Sequence, residues 1–385
     1  RSFVMSTTRS TMKHAAVYSA AAMAGRMIGF FMLPFYAHIL RGHGYAVIGM
    51  IDVGLGFLLA LLVYGLQGSI IRLYHDEKEP ARKPVVVSTG IILIGSVTAV
   101  LSVPLLLLSK PIAGFLIDDP GLYRYIIMAV LAFNLDMMGQ ASASWLLIRR
   151  RSVLFSGLSV LRLFTGLSLN IYLILIKGMG LDGYFISSLL TNLVSCVIFL
   201  AIAFRQCGRE FDPGIARTIR TFLLPLIPGA LANWVSRQME RILVKGMISL
   251  ETVGILEMGY KFPVLIATLI SGPFMKSWET RRFEIADEPG APERISRMIT
   301  YFVFLLVYAG LIMAVVIKPV IEILTPPEFH LAYRIAQVEV VTVILQGLGY
   351  HWEMWALAAG GMTPLEVLQA ATIDGAWIIG FQQDL

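Results

Sequence analysis

Four arginines, Arg26, Arg162, Arg237 and Arg241, stand deep inside apolar segments long enough to cross a bilayer. A charge at the centre of such a helix costs ~2.5–3.5 kcal/mol on insertion scales, so it is expected to face a protein-lined or water-filled cavity. The chemistry these residues offer is anion recognition: a guanidinium presents two parallel N–H donors to a phosphate or carboxylate, which a lysine ammonium cannot match. Arg237 and Arg241 are four residues apart and share a helical face, with Glu240 beside them. Even with Glu240 paired, that segment keeps net positive charge. Glu257 and Lys261 repeat the four-residue spacing one segment later, where a salt bridge within the helix is the competing arrangement. Asp136 and Arg162 are candidates for a pair between neighbouring segments. Arg26, flanked by a Gly25-x-x-x-Gly29 packing face, either points into a lumen or pairs with Asp52.

The elements that must position these groups are membrane helices. The chain of 385 residues is 57% hydrophobic and 15% charged, with a mean hydropathy of +0.75. A soluble domain of this length needs more polar surface. The apolar residues come in long blocks, not short alternating runs, which favours spanning helices over a barrel. The net charge of +6 does not point to nucleic acid, because most basic residues lie between the blocks, where their partner is the bilayer. Cys196 and Cys207 imply neither a disulfide framework nor a metal site. No His or Cys spacing suggests zinc, and no Gly-x-x-x-x-Gly-Lys-Ser/Thr loop precedes residue 340. The expectation is no enzyme, no metal and no cofactor. Transport would then run on an ion gradient, the membrane potential or the substrate gradient.

Ten apolar blocks are expected as spans, at 14–39, 44–73, 85–108, 122–148, 153–176, 181–204, 221–244, 252–275, 298–317 and 331–357. Alternate connections carry 19 and 5 Lys/Arg residues, a split that keeps phase across all ten spans and puts the N-terminus in the cytoplasm. The first block carries Arg26 and is followed by many spans, so it does not read as a cleavable signal. The connection 205–220 is the natural joint between two halves. Glycines five residues apart, Gly49 with Gly54 and Gly254 with Gly259, mark corresponding places before the second and eighth spans, as two six-helix lobes in parallel repeat would require. Pro225 and Pro228, at the head of the charged seventh block, are the prolines most suited to a bending point.

The runs Met32-Leu-Pro34-Phe-Tyr36-Ala-His-Ile-Leu40 and Gly65-Leu-Gln-Gly-Ser-Ile-Ile-Arg72-Leu-Tyr74 resemble the opening of polysaccharide flippases of the O-antigen type. Pro225-Leu-Ile-Pro228 and Gly254-Ile-Leu-Glu-Met-Gly259-Tyr-Lys261 carry the same resemblance, which covers about 10–345. These flippases belong to the multidrug/oligosaccharidyl-lipid/polysaccharide exporter superfamily. The resemblance implies two six-helix lobes around a central cavity in the bacterial inner membrane. It also implies flipping of an undecaprenyl-pyrophosphate-linked oligosaccharide, alongside other polysaccharide-assembly proteins. Arg26, Arg162, Arg237, Arg241 and Lys261 are then candidates for a cationic lumen, and Asp52, Asp136, Glu240 and Glu257 for ion pairing or coupling.

The segment Gly347-Leu-Gly-Tyr-His351-Trp-Glu353-Met-Trp355 through Thr363-Pro364 to Gly375 resembles instead the C-terminal region of imidazolonepropionase-like amidohydrolases. The expected organisation is therefore a six-helix lobe at 1–210, a partial lobe of about four helices at 211–345, and a foreign tail at 346–385. That makes the chain a chimera with two spans of its second lobe missing and its transport impaired. Competing readings are cation-coupled small-molecule efflux, whose lumen would be acidic, lipid II flipping, which would need more helices, and a non-transporting scaffold. A metallohydrolase is the remaining reading, and a tail of some forty residues cannot build a barrel for it.

Overall fold

A computed structural model describes residues 32–62, 66–149, 151–275 and 291–359. The protein is an all-α, multi-pass membrane protein, with no strand among the described residues. Its helices are α1 (Leu33–Leu62), α2 (Leu66–Asp76), α3 (Lys83–Leu107), α4 (Ser109–Ile117), α5 (Tyr123–Ile148), α6 (Ser152–Asn170) and α7 (Gly180–Cys207). They continue with α8 (Pro213–Leu223), α9 (Ile227–Met247), α10 (Leu250–Lys261), α11 (Pro263–Ile266), α12 (Ala291–Leu324) and α13 (Ala332–Ala359). Among the described residues, eight stretches are long and apolar enough to cross a membrane. Some bury almost nothing inside the protein: the apolar window of Val153–Ile176 is 6% buried, with Phe164, Tyr172 and Ile176 exposed. Such a surface needs lipid to cover it.

Several expected blocks are subdivided. The second block, 44–73, is described through Leu62 in α1 and from Leu66 in α2. The connection expected around Arg41 is a break inside α1, where Arg41 adopts φ 58°, ψ −175°, a region costly for any residue with a Cβ. The eighth block, 252–275, is interrupted at Phe262-Pro263, because proline cannot donate the helical hydrogen bond and crowds the preceding turn. The seventh block begins later than expected, at Ile227. Pro225 lies in a 3₁₀ turn, Leu224–Leu226, and Pro228 in the first turn of α9, so the two prolines separate α9 from a short helix, α8, that the sequence reading left as connection. Residues 14–31 of the first block, with Arg26, lie outside the described residues.

The chain packs as two compact units, Arg1–Gly254 and Ile255–Leu385. In the first, one cluster gathers Val47 and Met50 of α1, Ile117 of α4, Ile126 and Val130 of α5 and Phe185 of α7. A second joins Ile70, Ile91, Trp145 and Ala203 from α2, α3, α5 and α7. The α5–α7 pair is the most extensive helix contact. Small residues make it possible: a Cβ on Gly139 would touch the Cys196 backbone, and Ala143, Ser195 and Ala203 are all buried. The division between units falls inside α10, and α9 belongs with the first because it is fastened to α1. The Trp234 indole N–H donates to the Val53 carbonyl at 3.0 Å, and its ring meets Phe57 edge-on. At the far end of α9, Lys245 is nearly buried. It bonds the Phe115 carbonyl and lies 2.7 Å from the Asp118 carboxylate.

In the second unit, Ile266, Phe302, Leu306, Val340 and Val343 form the core of α11, α12 and α13, with Phe274 stacked on Phe302. Helix α13 runs unbroken from Ala332 to Ala359, across the junction expected near residue 345. The Trp-Glu-Met-Trp-Ala-Leu-Ala-Ala stretch that begins at Trp352 consists largely of strong helix formers. Residues 360–385 lie outside the described residues.

Connections between α7 and α8 are built rather than slack. Asp212 caps α8, accepting from the Gly214 and Ile215 N–H groups, and lies 2.5 Å from the Arg82 guanidinium. Its own N–H donates to Thr89 Oγ1, and Ser88 Oγ donates to the Glu210 carbonyl. The Arg82 hydrogen bond, followed by the backbone donors, holds the Asp212 carboxyl below the usual carboxylate range. A carboxylate depressed in the folded state contributes stability above its unfolded pKa and loses it as pH falls through the folded one. Asp212→Ala is therefore expected to lower the melting temperature in detergent at neutral pH. The gap from wild type should close as pH drops below the carboxylate range; a gap independent of pH would contradict this account.

Candidate functional site

A cavity of about 600 Å³ opens within the first unit, between α5, α6 and α7, with Met32 and Tyr36 at its edge. Its volume lies inside the roughly 300–1,000 Å³ of small-molecule sites. The wall is mostly apolar, including Phe155, Leu163 and Phe199, and one polar cluster crosses it. Arg162 Nη2 lies 2.5 Å from Asp136 Oδ1 and 2.7 Å from Asn192 Oδ1, and Gln140 Nε2 donates to Asp136 Oδ2 at 2.7 Å. The pair is partly buried, at 36% exposure for the Arg162 side chain and 22% for Asp136. A charge pair in a membrane span is tolerable in this form because each member is hydrogen-bonded and the pair faces a cavity instead of lipid.

The guanidinium is only half used. Of its five N–H donors, those on Nη2 serve Asp136 and Asn192, while those on Nε and Nη1 make no hydrogen bond among the described residues. Thr191 Oγ1, buried in the same wall, also lacks a partner among them. Hydroxyls nearby are satisfied locally: Ser159 donates to the Phe155 carbonyl and Ser195 to that of Thr191. Below the cavity α6 widens into a π-helical turn, Ile171–Ile176, and Asn170 at that transition accepts from Ser187. Irregular turns of this kind recur at functional sites.

The other candidates do not converge here. Arg237 is exposed, its Nε donating to Asn233 Oδ1 at 3.1 Å. Arg241 is nearly buried, bonds the Arg237 carbonyl, and lies 3.2 Å from Glu240 Oε1. Neither lines the described cavity. Asp52 is exposed on α1. In the second unit Glu257 is buried while Lys261, one turn on, is exposed. Arg26 lies outside the described residues. Gln140, Asn192 and Thr191 were not singled out from sequence. Gln140 had a usable signal, standing four residues after Asp136 on the same face. Asn192 had only its polarity within an apolar span.

The family model described as polysaccharide biosynthesis protein matches residues 11–278. The chain belongs to this family. Its members are transporters and not enzymes, so the protein is a multi-pass membrane transporter of the polysaccharide biosynthesis family. No curated protein matches the chain. Among solved structures, a point mutant of the Vibrio cholerae MATE transporter VcmN is similar at 16% identity and TM-score 0.48, over 92% of this chain and 85% of that one. The bent form of the same transporter is similar at 14% identity and TM-score 0.49, over 93% and 88%. The family match ends before residue 346, and nothing in these comparisons supports an amidohydrolase-like tail.

Proposed function

We propose that this family member carries a lipid-linked, anionic oligosaccharide across the bacterial inner membrane for cell-surface polysaccharide synthesis. The observation that supports the reading most is the Arg162 cluster: a cavity-facing guanidinium with free donors, set among amides and aromatic rings inside a bundle of membrane helices. Free guanidinium N–H groups suit acidic or phosphorylated portions of a substrate, and amides with aromatic faces suit sugar rings. The excess of basic residues in alternate connections supports a cytoplasmic N-terminus. Arg26, Arg237, Arg241 and Lys261 are proposed as further contacts for the anionic substrate.

The test is complementation. The chain, expressed in a strain lacking its own lipid-linked oligosaccharide flippase, is expected to restore surface glycan. Absence of surface glycan despite correct membrane insertion would overturn the assignment. Resistance to small cationic drugs appearing in its place would establish efflux as the activity.

A further inference from the structure

Helix α8 is amphipathic and short, and both its ends are tied to membrane helices: it starts six residues after Cys207, the last of α7, and ends four residues before Ile227, the first of α9. One face is committed. Ile219 and Leu223 are buried, and with Ile215 they pack on Leu73 of α2, Leu93 of α3 and Ile227 of α9. At 100° per residue those three positions span one side of the helix, which puts Arg217 on the opposite side, about 160° from its centre, and Arg220 on the flank, about 100° from it. Both arginines are exposed and make no ion pair with any described carboxylate. The nearest acid in sequence, Asp212, is already held by Arg82 and the helix N-terminus. Flanking the arginines are exposed apolar residues, Phe222 and Leu224, with the Arg72 guanidinium 5.2 Å from the Phe222 ring centroid.

Free basic groups beside exposed apolar ones, on a helix held at the end of two spans, match the boundary between phosphate headgroups and acyl chains. The connection belongs to the set rich in lysine and arginine, which in the orientation proposed above faces the cytoplasm, where the leaflet is anionic. We propose that α8 is a binding element for anionic phospholipid, with Arg217 and Arg220 contacting headgroup phosphate and Phe222 and Leu224 seated at the acyl boundary. The bound lipid fixes the depth of the segment that ends at Pro225 and Pro228, where α9 begins. This inference is independent of what the cavity carries. A soluble anionic partner is disfavoured because the apolar flank would be left in water.

The experiment is lipid retention by the full chain, read by native mass spectrometry after titration with phosphatidylglycerol or phosphatidylcholine. Attraction of about fivefold per basic residue predicts roughly a twenty-five-fold effect for both arginines at α8. Other sites on the protein will dilute this, so phosphatidylglycerol retention by the Arg217→Gln/Arg220→Gln double variant is expected to fall at least fivefold. The Arg217→Lys/Arg220→Lys variant should keep most of it. Lys177→Gln, in a connection of the opposite set, should keep all of it. Elution as a single species with unchanged melting temperature separates loss of lipid from loss of fold. Equal retention by wild type and the Gln variant would overturn the proposal, as would equal retention of the two lipids. Retention of an isoprenyl pyrophosphate but not phosphatidylglycerol through these arginines would also overturn it, by making α8 a substrate contact.

Discussion

Arg162→Ala is expected to reduce surface glycan in the complementation assay at least tenfold, equivalent to ~1.4 kcal/mol. Two effects act together. The substitution removes the cavity's free guanidinium donors, and it strands the Asp136 carboxylate with Gln140 as its partner among the described residues. Breaking a fully buried pair costs ~3–5 kcal/mol. Exposure of 36% and 22% places this pair below that range. The structural share can be removed experimentally. In the double variant Asp136→Leu/Arg162→Met no charge is left unpaired, so melting temperature and insertion should return toward wild type. Glycan output should remain low, because the anion-recognising group is still absent. Recovery of output in the double variant would reduce the cluster to a packing device.

Gly254→Ala should be as damaging, although it adds one methyl group. A Cβ at that position would overlap the carbonyl oxygen of Gly42, a backbone atom that cannot rotate away. Alanine gains ~1 kcal/mol of helix propensity over glycine in α10. Overpacking costs ~1–3 kcal/mol, and a clash with backbone belongs at the upper end of that range. Gly42 has little freedom to retreat, since it follows Arg41 at its unfavourable φ of 58°. The expected result is a lower melting temperature and at least a tenfold loss of glycan output. Gly246→Ala in α9, with nothing within 4 Å of its Cβ, should melt at or above wild type. Equal behaviour of the two variants would show that the Gly42–Gly254 approach is not needed.

Helix class was legible because bilayer thickness dictates block length, whereas of the ten spans expected the described residues hold eight helical stretches long and apolar enough to cross, and 331–357 is not one of them. Breaks inside blocks were less legible. Proline marks the one at Phe262-Pro263. Helix α8 was missed for a physical reason: its basic residues lowered the hydropathy on which block reading depends, while its buried face has only three apolar positions. Asp136 and Arg162 could be named because charge is conspicuous in an apolar span. Asn192 and Thr191 could not, since uncharged polar residues are common there and only α6–α7 packing selects these two. The α9 arginines show the converse. Their four-residue spacing suggested a common target, yet Arg241 bonds the Arg237 carbonyl and Glu240, on its own helix.

The salt bridge between Asp136 and Arg162 also bears on how the chain is made. Its two members lie on consecutive spans, α5 and α6, separated by a short basic turn at Arg149 to Arg151. Neither helix alone can partition its charge into hydrocarbon cheaply, whereas the two released together enter as a neutral hairpin. Biogenesis is thus coupled across that turn: in a nascent chain halted after α5, a cysteine introduced beside Asp136 should stay open to a membrane-impermeant thiol reagent, and in one extended through α6 it should be shielded.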